Sequence, residues 1–251
     1  MAPNPRTRAA LALLAALPLM LRVAPAAAEP VDDPLEPLNR AVFALNRVMD
    51  GTVLEPLAEF YDYAVPDYGK RRVADFLANL RAPVVFVNDL LQGERERAGV
   101  ALGRFLVNST LGLFGLFDIA ARLGLPPHEE DFGQTLAVWG VEEGPYLVLP
   151  VLGPSNPRDL VGLLMDGFVF DPAAWVAPGR FRLGRAAAAA VVRRAELDPF
   201  LDELRARSLD EYAALRSAYR QRRAAAIRNG RVAVDESLYE LPLEDPGEET
   251  P

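Results

Sequence analysis

Apolar residues at helical spacing, interrupted every few turns by proline or glycine, constrain the fold of this chain more than any other feature. In Leu35–Met49, the residues Leu38, Val42, Leu45 and Met49 recur at steps of four, three and four, so one helix face carries them all. Pro37 sits where a first turn tolerates a missing N–H, and Gly51 is the predicted stop. A second short helix is predicted in Val53–Tyr61. After Pro66-Asp67, the residues Val73, Phe76, Leu77 and Leu80 line one side. Pro83 is then expected to restart the chain into Val84–Leu91, closed by Gly93. Glu94–Val107 reads as a further helix with Ala98, Ala101, Leu102 and Phe105 inside. Short helices joined at frequent bends favour a compact or curved all-α arrangement over a long bundle.

Phe105–Ala121 is the most apolar internal stretch, with polar side chains at Asn108, Ser109, Thr110 and Asp118. A helix apolar on all sides is either fully buried or in contact with lipid. Seventeen residues with an aspartate inside make a poor membrane span. A core helix or helix pair, a segment lying in one leaflet, and the wall of a lipid path therefore all stay open. Residues 126–133 read as a solvated acidic loop. Tyr146–Leu152 is bounded by Gly-Pro pairs, and Pro150 excludes a central strand, leaving buried extended chain. Ser155 or Asn156 can cap a helix that begins at Pro157. Ala186–Ala195 and Asp198–Arg207 are helical, and Ser208 to Glu211 fits a capping box. The helix so opened carries Leu209, Tyr212, Leu215 and Tyr219 on one face.

Arg6 and Arg8, the apolar run Ala9–Leu21 and the small residues Ala26-Ala27-Ala28 before Glu29 have the form of a cleaved secretory leader. The run is well short of the roughly 20 residues that span a bilayer. The predicted organisation is a leader at 1–28, one all-helical domain at 29–231 and an acidic disordered tail at 232–251. Losing Arg6, Arg8 and Arg22 with the leader would deepen the net charge of −8 by three units. That balance argues against nucleic-acid binding, which needs a basic footprint. Cysteine is absent, so disulfides, thiol nucleophiles and thiolate metal sites are excluded.

The remaining catalytic inventory is thin. His128 is the sole histidine, no G-x-S-x-G elbow occurs, and one histidine among adjacent acids does not form a zinc site. No cofactor, metal or catalytic residue is assigned, and an enzyme is not expected. Arg216, Arg220 and Arg223 fall at steps of four and three. They form either a solvated helix face or one that meets anionic headgroups or an acidic partner.

Asp33-Pro34-Leu35-Glu36, Asn39-Arg40, Phe43 and Asn46 resemble the opening motif of the MlaA/VacJ family. The likeness continues through Ala82-Pro83, Val87-Asn88, Leu91-Gln92-Gly93 and Arg104–Gly112. It extends through Phe117-Asp118, Glu130-Asp131-Phe132-Gly133-Gln134-Thr135-Leu136 and Gly140. Gly144-Pro145-Tyr146-Leu147-Val148-Leu149-Pro150, Gly153-Pro154-Ser155 and Arg158-Asp159 complete an ordered series from about residue 32 to 230.

The resemblance implies a ring-like, all-α protein in the periplasmic leaflet of the outer membrane, with amphipathic helices around a central channel. Misplaced outer-leaflet phospholipid would enter it and pass to a periplasmic carrier of the MlaC type, keeping the membrane asymmetric, with trimeric porins as partners. Asn108, Ser109, Thr110 and Asp118 are the polar candidates for the lipid channel. Lipoprotein members carry a lipobox cysteine that this sequence lacks, so a non-lipidated protein is expected, held at the outer membrane by packing or partly soluble in the periplasm. The rival readings are a soluble periplasmic lipid-binding or adaptor protein and a lipid-acting hydrolase using His128.

Overall fold

The computed structural model describes residues 33–230; the predicted leader and acidic tail lie outside the described residues. Helices dominate: α1 (Glu36–Met49), α2 (Glu55–Ala64), α3 (Asp67–Gln92), α4 (Arg95–Thr110), the short α5 (Ile119–Arg122) and α6 (Phe132–Val138). A hairpin of β1 (Leu147–Leu149) and β2 (Gly153–Ser155) follows. After it come α7 (Pro157–Met165), the short α8 (Ala173–Val176), α9 (Gly179–Arg207) and α10 (Glu211–Ile227). The strands are antiparallel, with Val148 opposite Pro154. Pro150 lies in the turn between them, where its missing N–H removes no ladder bond.

Several predicted breaks do not interrupt the backbone. Gly51 does not stop α1: Asp50–Leu54 forms a π-helical turn that runs into α2. Arg194 and Arg205 grip that turn through Asp50, at 2.7 and 3.3 Å. Pro83 lies inside α3, which spans 26 residues, and Pro199 lies inside the 29 residues of α9. An internal proline costs about 3 kcal/mol of helix stability. Beyond Pro83, α3 buries Val84, Val85, Asn88 and Asp89, and it packs on α4 and α6. Burial on that scale outweighs the lost hydrogen bond. The helices are therefore longer than their punctuation suggests.

Two predicted caps separate cleanly. Asn156 caps α7, its side chain accepting from the Asp159 N–H at 2.8 Å. Ser208 instead ends α9, and Asp210 caps α10 by accepting from the Ala213 N–H at 3.2 Å. Leu209 is consequently fully exposed rather than on the inner face.

The inner face of α1 is also shifted by one residue. Asn39, Val42, Phe43 and Asn46 turn inward, whereas Leu38, Leu45 and Val48 are exposed. Asn39 donates to the Tyr146 carbonyl and accepts from the Val148 N–H, both at 2.9 Å. Asn46 repeats this clamp two turns on, with the Leu149 carbonyl at 2.9 Å and the Val151 N–H at 2.8 Å. Two side-chain amides thus hold the hairpin in place of a third strand.

The apolar run is not a core helix. It leaves α4 after Thr110 and turns through Leu113 and Phe114, both with left-handed φ. Leu111, Leu113, Phe114 and Leu116 face outward, Phe114 with 78% of its surface exposed. Asn79 anchors the turn by donating to the Ser109 hydroxyl at 3.0 Å. Leu102, predicted inside α4, is exposed as well. Among the described residues, buried polar side chains are almost as numerous as buried apolar ones. Much apolar surface is therefore left for the outside. No described helix is long and apolar enough to cross a membrane.

Candidate functional site

A cavity of about 570 Å³ lies between the helices. Its walls come from α3, the cap of α6, the hairpin, α7, the turn after it, α9 and α10. The lining is mixed. Leu77, Leu80 and Val84 from α3, Leu149 and Leu152 from the hairpin, and Leu163 from α7 supply apolar side chains. Asp131, Asp159, Asp166 and Asp171 supply carboxylates, beside Arg81, Arg185, Arg223 and the Tyr219 hydroxyl.

Arg223 organises the charged lining. Its guanidinium donates to both oxygens of Asp131 at 2.6 Å and to Asp159 at 2.9 Å. Asp131 also caps α6, accepting from the Gln134 N–H at 2.9 Å. Burial disfavours the Asp131 charge, but the Arg223 bonds outweigh it and hold the carboxyl below the usual range. Tyr219 donates to Asp159 at 2.5 Å, and burial together with that carboxylate pushes the phenol's pKa up. Close helix approach makes the cluster possible. A Cβ on Gly162 would lie 2.3 Å from the Gly133 nitrogen, and one on Gly133 would strike Arg223 at 2.4 Å.

The arginine face of α10 is thus turned largely inward. Arg216 meets Asp33 at 3.3 Å and Arg223 joins the cavity wall, while Arg220 stays half-exposed, 4.0 Å from Glu143. Neither a solvated face nor one free for headgroups describes it, because the partner carboxylates come from distant segments.

The loop at 126–133 is not a solvated acidic loop either. Glu130 is buried and accepts from Gln92 at 2.9 Å and Arg97 at 2.6 Å. His128 sits 2.8 Å from the buried Asp89. Behind the cavity, Thr135 donates to Asn88 at 2.8 Å, and Asn88 donates to Asp166 at 2.9 Å. Burial raises the Asp166 carboxyl to about 6, against the opposing pull of Asn88 and Arg81. Among the described residues no three His, Asp or Glu side chains are grouped to hold a metal ion.

The motif residues named from sequence serve distinct parts of this architecture. Asn39 and Asn46 clamp the hairpin. Arg40 joins Glu36 at 2.7 Å and Asp210 at 2.5 Å, tying α1 to α10. Asp131 and Asp159 line the cavity, Gln134 is buried beside Asp131, and Arg158 is buried against Asp159 at 3.2 Å. Gly144 and Pro145 lead into β1, with Gly144 close to Pro157.

Asn108 and Asp118 border a separate cavity of about 70 Å³, where Asn108 donates to Asp118 at 3.0 Å. Arg104 pairs with Asp118 at 2.8 Å. Ser109 receives the Asn79 bond, and Thr110 donates to the Leu106 carbonyl of its own helix at 2.7 Å. None of these four lines the larger cavity. Sequence reasoning missed Arg81, Asp166, Asp171 and Arg185. Only the i, i+3, i+4, i+7 spacing of Leu77, Leu80, Arg81 and Val84 hints at a shared face.

The family described as "MlaA lipoprotein" matches residues 31–226. The chain is 34% identical over 216 residues to the intermembrane phospholipid transport system lipoprotein MlaA of Haemophilus influenzae, covering 84% of each protein. With the protein of that name in Escherichia coli it shares 32% over 219 residues, 85% of each. An uncharacterized Rickettsia felis protein is 40% identical over 198 residues, 79% of each. A solved structure described as the "structural basis for maintenance of bacterial outer membrane lipid asymmetry" matches with a TM-score of 0.71 and 32% identity. That match covers 78% of this chain and all of the other. The chain belongs to the MlaA lipoprotein family.

Proposed function

We propose that this protein is an outer-membrane-associated component of a phospholipid transport system. It removes misplaced outer-leaflet phospholipid and passes it to a periplasmic carrier, so that the membrane stays asymmetric. The observation that supports this reading is the cavity's mixed lining, in which leucine and valine side chains lie beside carboxylates and arginines. A phospholipid leaving the bilayer exposes acyl chain at about 0.8 kcal/mol per CH₂, and its headgroup must stay solvated or bonded. The apolar lining suits the acyl chains of that molecule, and the charged lining its head. The transport role of the named relatives and the lipid-asymmetry setting of the matching structure support the same reading.

The outward apolar surfaces fit a protein seated in one leaflet. Leu38, Leu45 and Val48 on α1, Leu57 and Phe60 on α2, and the Leu111–Leu116 turn are all exposed. Asn108, Ser109, Thr110 and Asp118 are proposed to guide lipid at the foot of that turn, where alanine substitutions should impair transport at normal protein levels. The reading is of a transport component without bond chemistry, working with a carrier of the MlaC type and with trimeric porins at the periplasmic face. The leader at 1–28, the domain at 29–231 and the tail at 232–251 belong to the same proposal, as does membrane residence without an acyl anchor.

The test is complementation. In a Gram-negative cell lacking its own family member, expression of this protein should reduce headgroup-reactive phosphatidylethanolamine on the cell surface. A membrane-impermeant amine reagent reads the change. Unreduced labelling, with the protein present in the envelope, would reject the role.

A further inference from the structure

Arg81 differs from the other two arginines of the cavity. Arg223 is bonded to Asp131 and Asp159, and Arg185 to Asp171. Arg81 is exposed, and its hydrogen bond goes to the Glu130 carbonyl at 3.4 Å; among the described residues no ion pair engages it. Its charge still reaches the cavity, where it favours the ionised forms of Asp131 and Asp166. A guanidinium with unused donors on a concave wall is suited to a planar or tetrahedral oxyanion, which it can engage through two parallel bonds.

Its neighbours add a second requirement. Leu77, Leu80 and Val84 stand four and one residues before Arg81 and three after it, so all four share a face of α3, and all four line the cavity. Leu149, Leu152 and Leu163 lie on other walls of the same space. A small hydrophilic anion would leave that apolar surface wet. An amphiphile with an anionic head and a hydrocarbon chain would cover it.

We propose that Arg81 is the phosphate-binding residue of the cavity, holding the phosphodiester of a phospholipid headgroup while an acyl chain lies along Leu77, Leu80 and Val84. This assignment rests on the transport reading above and deepens it by naming the contact that distinguishes a phospholipid from a neutral lipid. The chemistry of the head alone is shared with free phosphate, and the apolar stripe decides between them.

The experiment uses the full chain in mild detergent, titrated with phosphatidylethanolamine bearing a fluorescent acyl chain and, separately, with diacylglycerol bearing the same chain. Arg81→Gln should weaken phospholipid binding about tenfold or more, the loss of one charge-assisted contact. Diacylglycerol binding should be unchanged, Arg81→Lys should recover much of the loss, and millimolar inorganic phosphate should not compete. Equal phospholipid affinity in Arg81→Gln and wild type overturns the assignment while leaving the transport reading intact. Displacement of the probe by inorganic phosphate overturns it in favour of a soluble-anion site. Failure of the wild type to bind either lipid rejects the transport reading, and the Arg81 assignment falls with it. Arg81→Met, which keeps the aliphatic stem, supplies the same comparison if the glutamine variant melts early.

Discussion

Arg223 holds Asp131 through two bonds of 2.6 Å across 92 residues of sequence, joining the last long helix to the cap of α6. Both side chains are largely shielded, so Arg223→Met leaves Asp131 without its ion-pair partner and Asp159 with Arg158 alone. That variant should lose about 2–4 kcal/mol of stability. Arg220→Ala, whose contact with Glu143 is long and half-exposed, should change stability by less than about 0.5 kcal/mol. Denaturant midpoints of the two variants, measured side by side, check the contrast.

The hairpin depends on asparagine amides on α1. Asn39→Ala strands the buried Tyr146 carbonyl and Val148 N–H and should cost about 2–3 kcal/mol. Asn46→Ala acts at the more exposed end, near Val151, and should cost about 1 kcal/mol. Hydrogen exchange at Val148 should accelerate in the first variant. Unchanged protection there would refute the clamp.

Two glycines on helices predict opposite signs. Gly162→Ala forces a Cβ to 2.3 Å from the Gly133 nitrogen and should destabilise by about 1–3 kcal/mol. Gly184, inside α9 with nothing near its would-be Cβ, should accept alanine with a gain of up to about 1 kcal/mol. Thermal midpoints moving the same way in both variants would contradict the packing described.

Asp166 sets a pH dependence. Its folded-state carboxyl is raised by burial from 3.8 to about 6, so between those values the folded protein binds more protons than the unfolded chain. Its contribution is full below about pH 4, declines as pH rises through about 6, and is worth at most about 3 kcal/mol. Glu130, also raised by burial, acts in the same direction. Asp131 and Asp118 are depressed, so their contributions are present above the ordinary carboxylate pKa and are lost as pH falls further. Stability of wild type minus Asp166→Asn, followed from pH 4 to 7, should fall across that window. A flat difference would exclude the assignment.

The Leu111–Leu116 turn presents Phe114 to the surroundings. Phe114→Asp removes apolar area and adds a charge without touching the interior. Co-sedimentation with phospholipid vesicles should drop about tenfold, while the melting temperature stays put. Retained vesicle binding would place the membrane contact elsewhere.

Sequence by itself determined the local features. It specified that the chain is helical, that Ser155 or Asn156 caps a helix beginning at Pro157, that Gly-Pro pairs bracket an extended segment, and, through its ordered motifs, the family. These are short-range properties, written in spacing and backbone preference. Tertiary structure decided three further matters. Packing on α4 and α6 carried α3 through Pro83, because buried area outweighs one lost hydrogen bond. The clamp on the hairpin turned Asn39 and Asn46 inward and Leu38 and Leu45 outward, shifting the inner face of α1 one residue from the predicted stripe while keeping Val42 and Phe43 inside. Pairing across 92 residues turned Arg223 into the cavity wall and left Arg81, among the described residues, without a carboxylate partner. Periodicity along a helix records which residues share a face; which face meets the cavity is settled by the distant segments that pack against it.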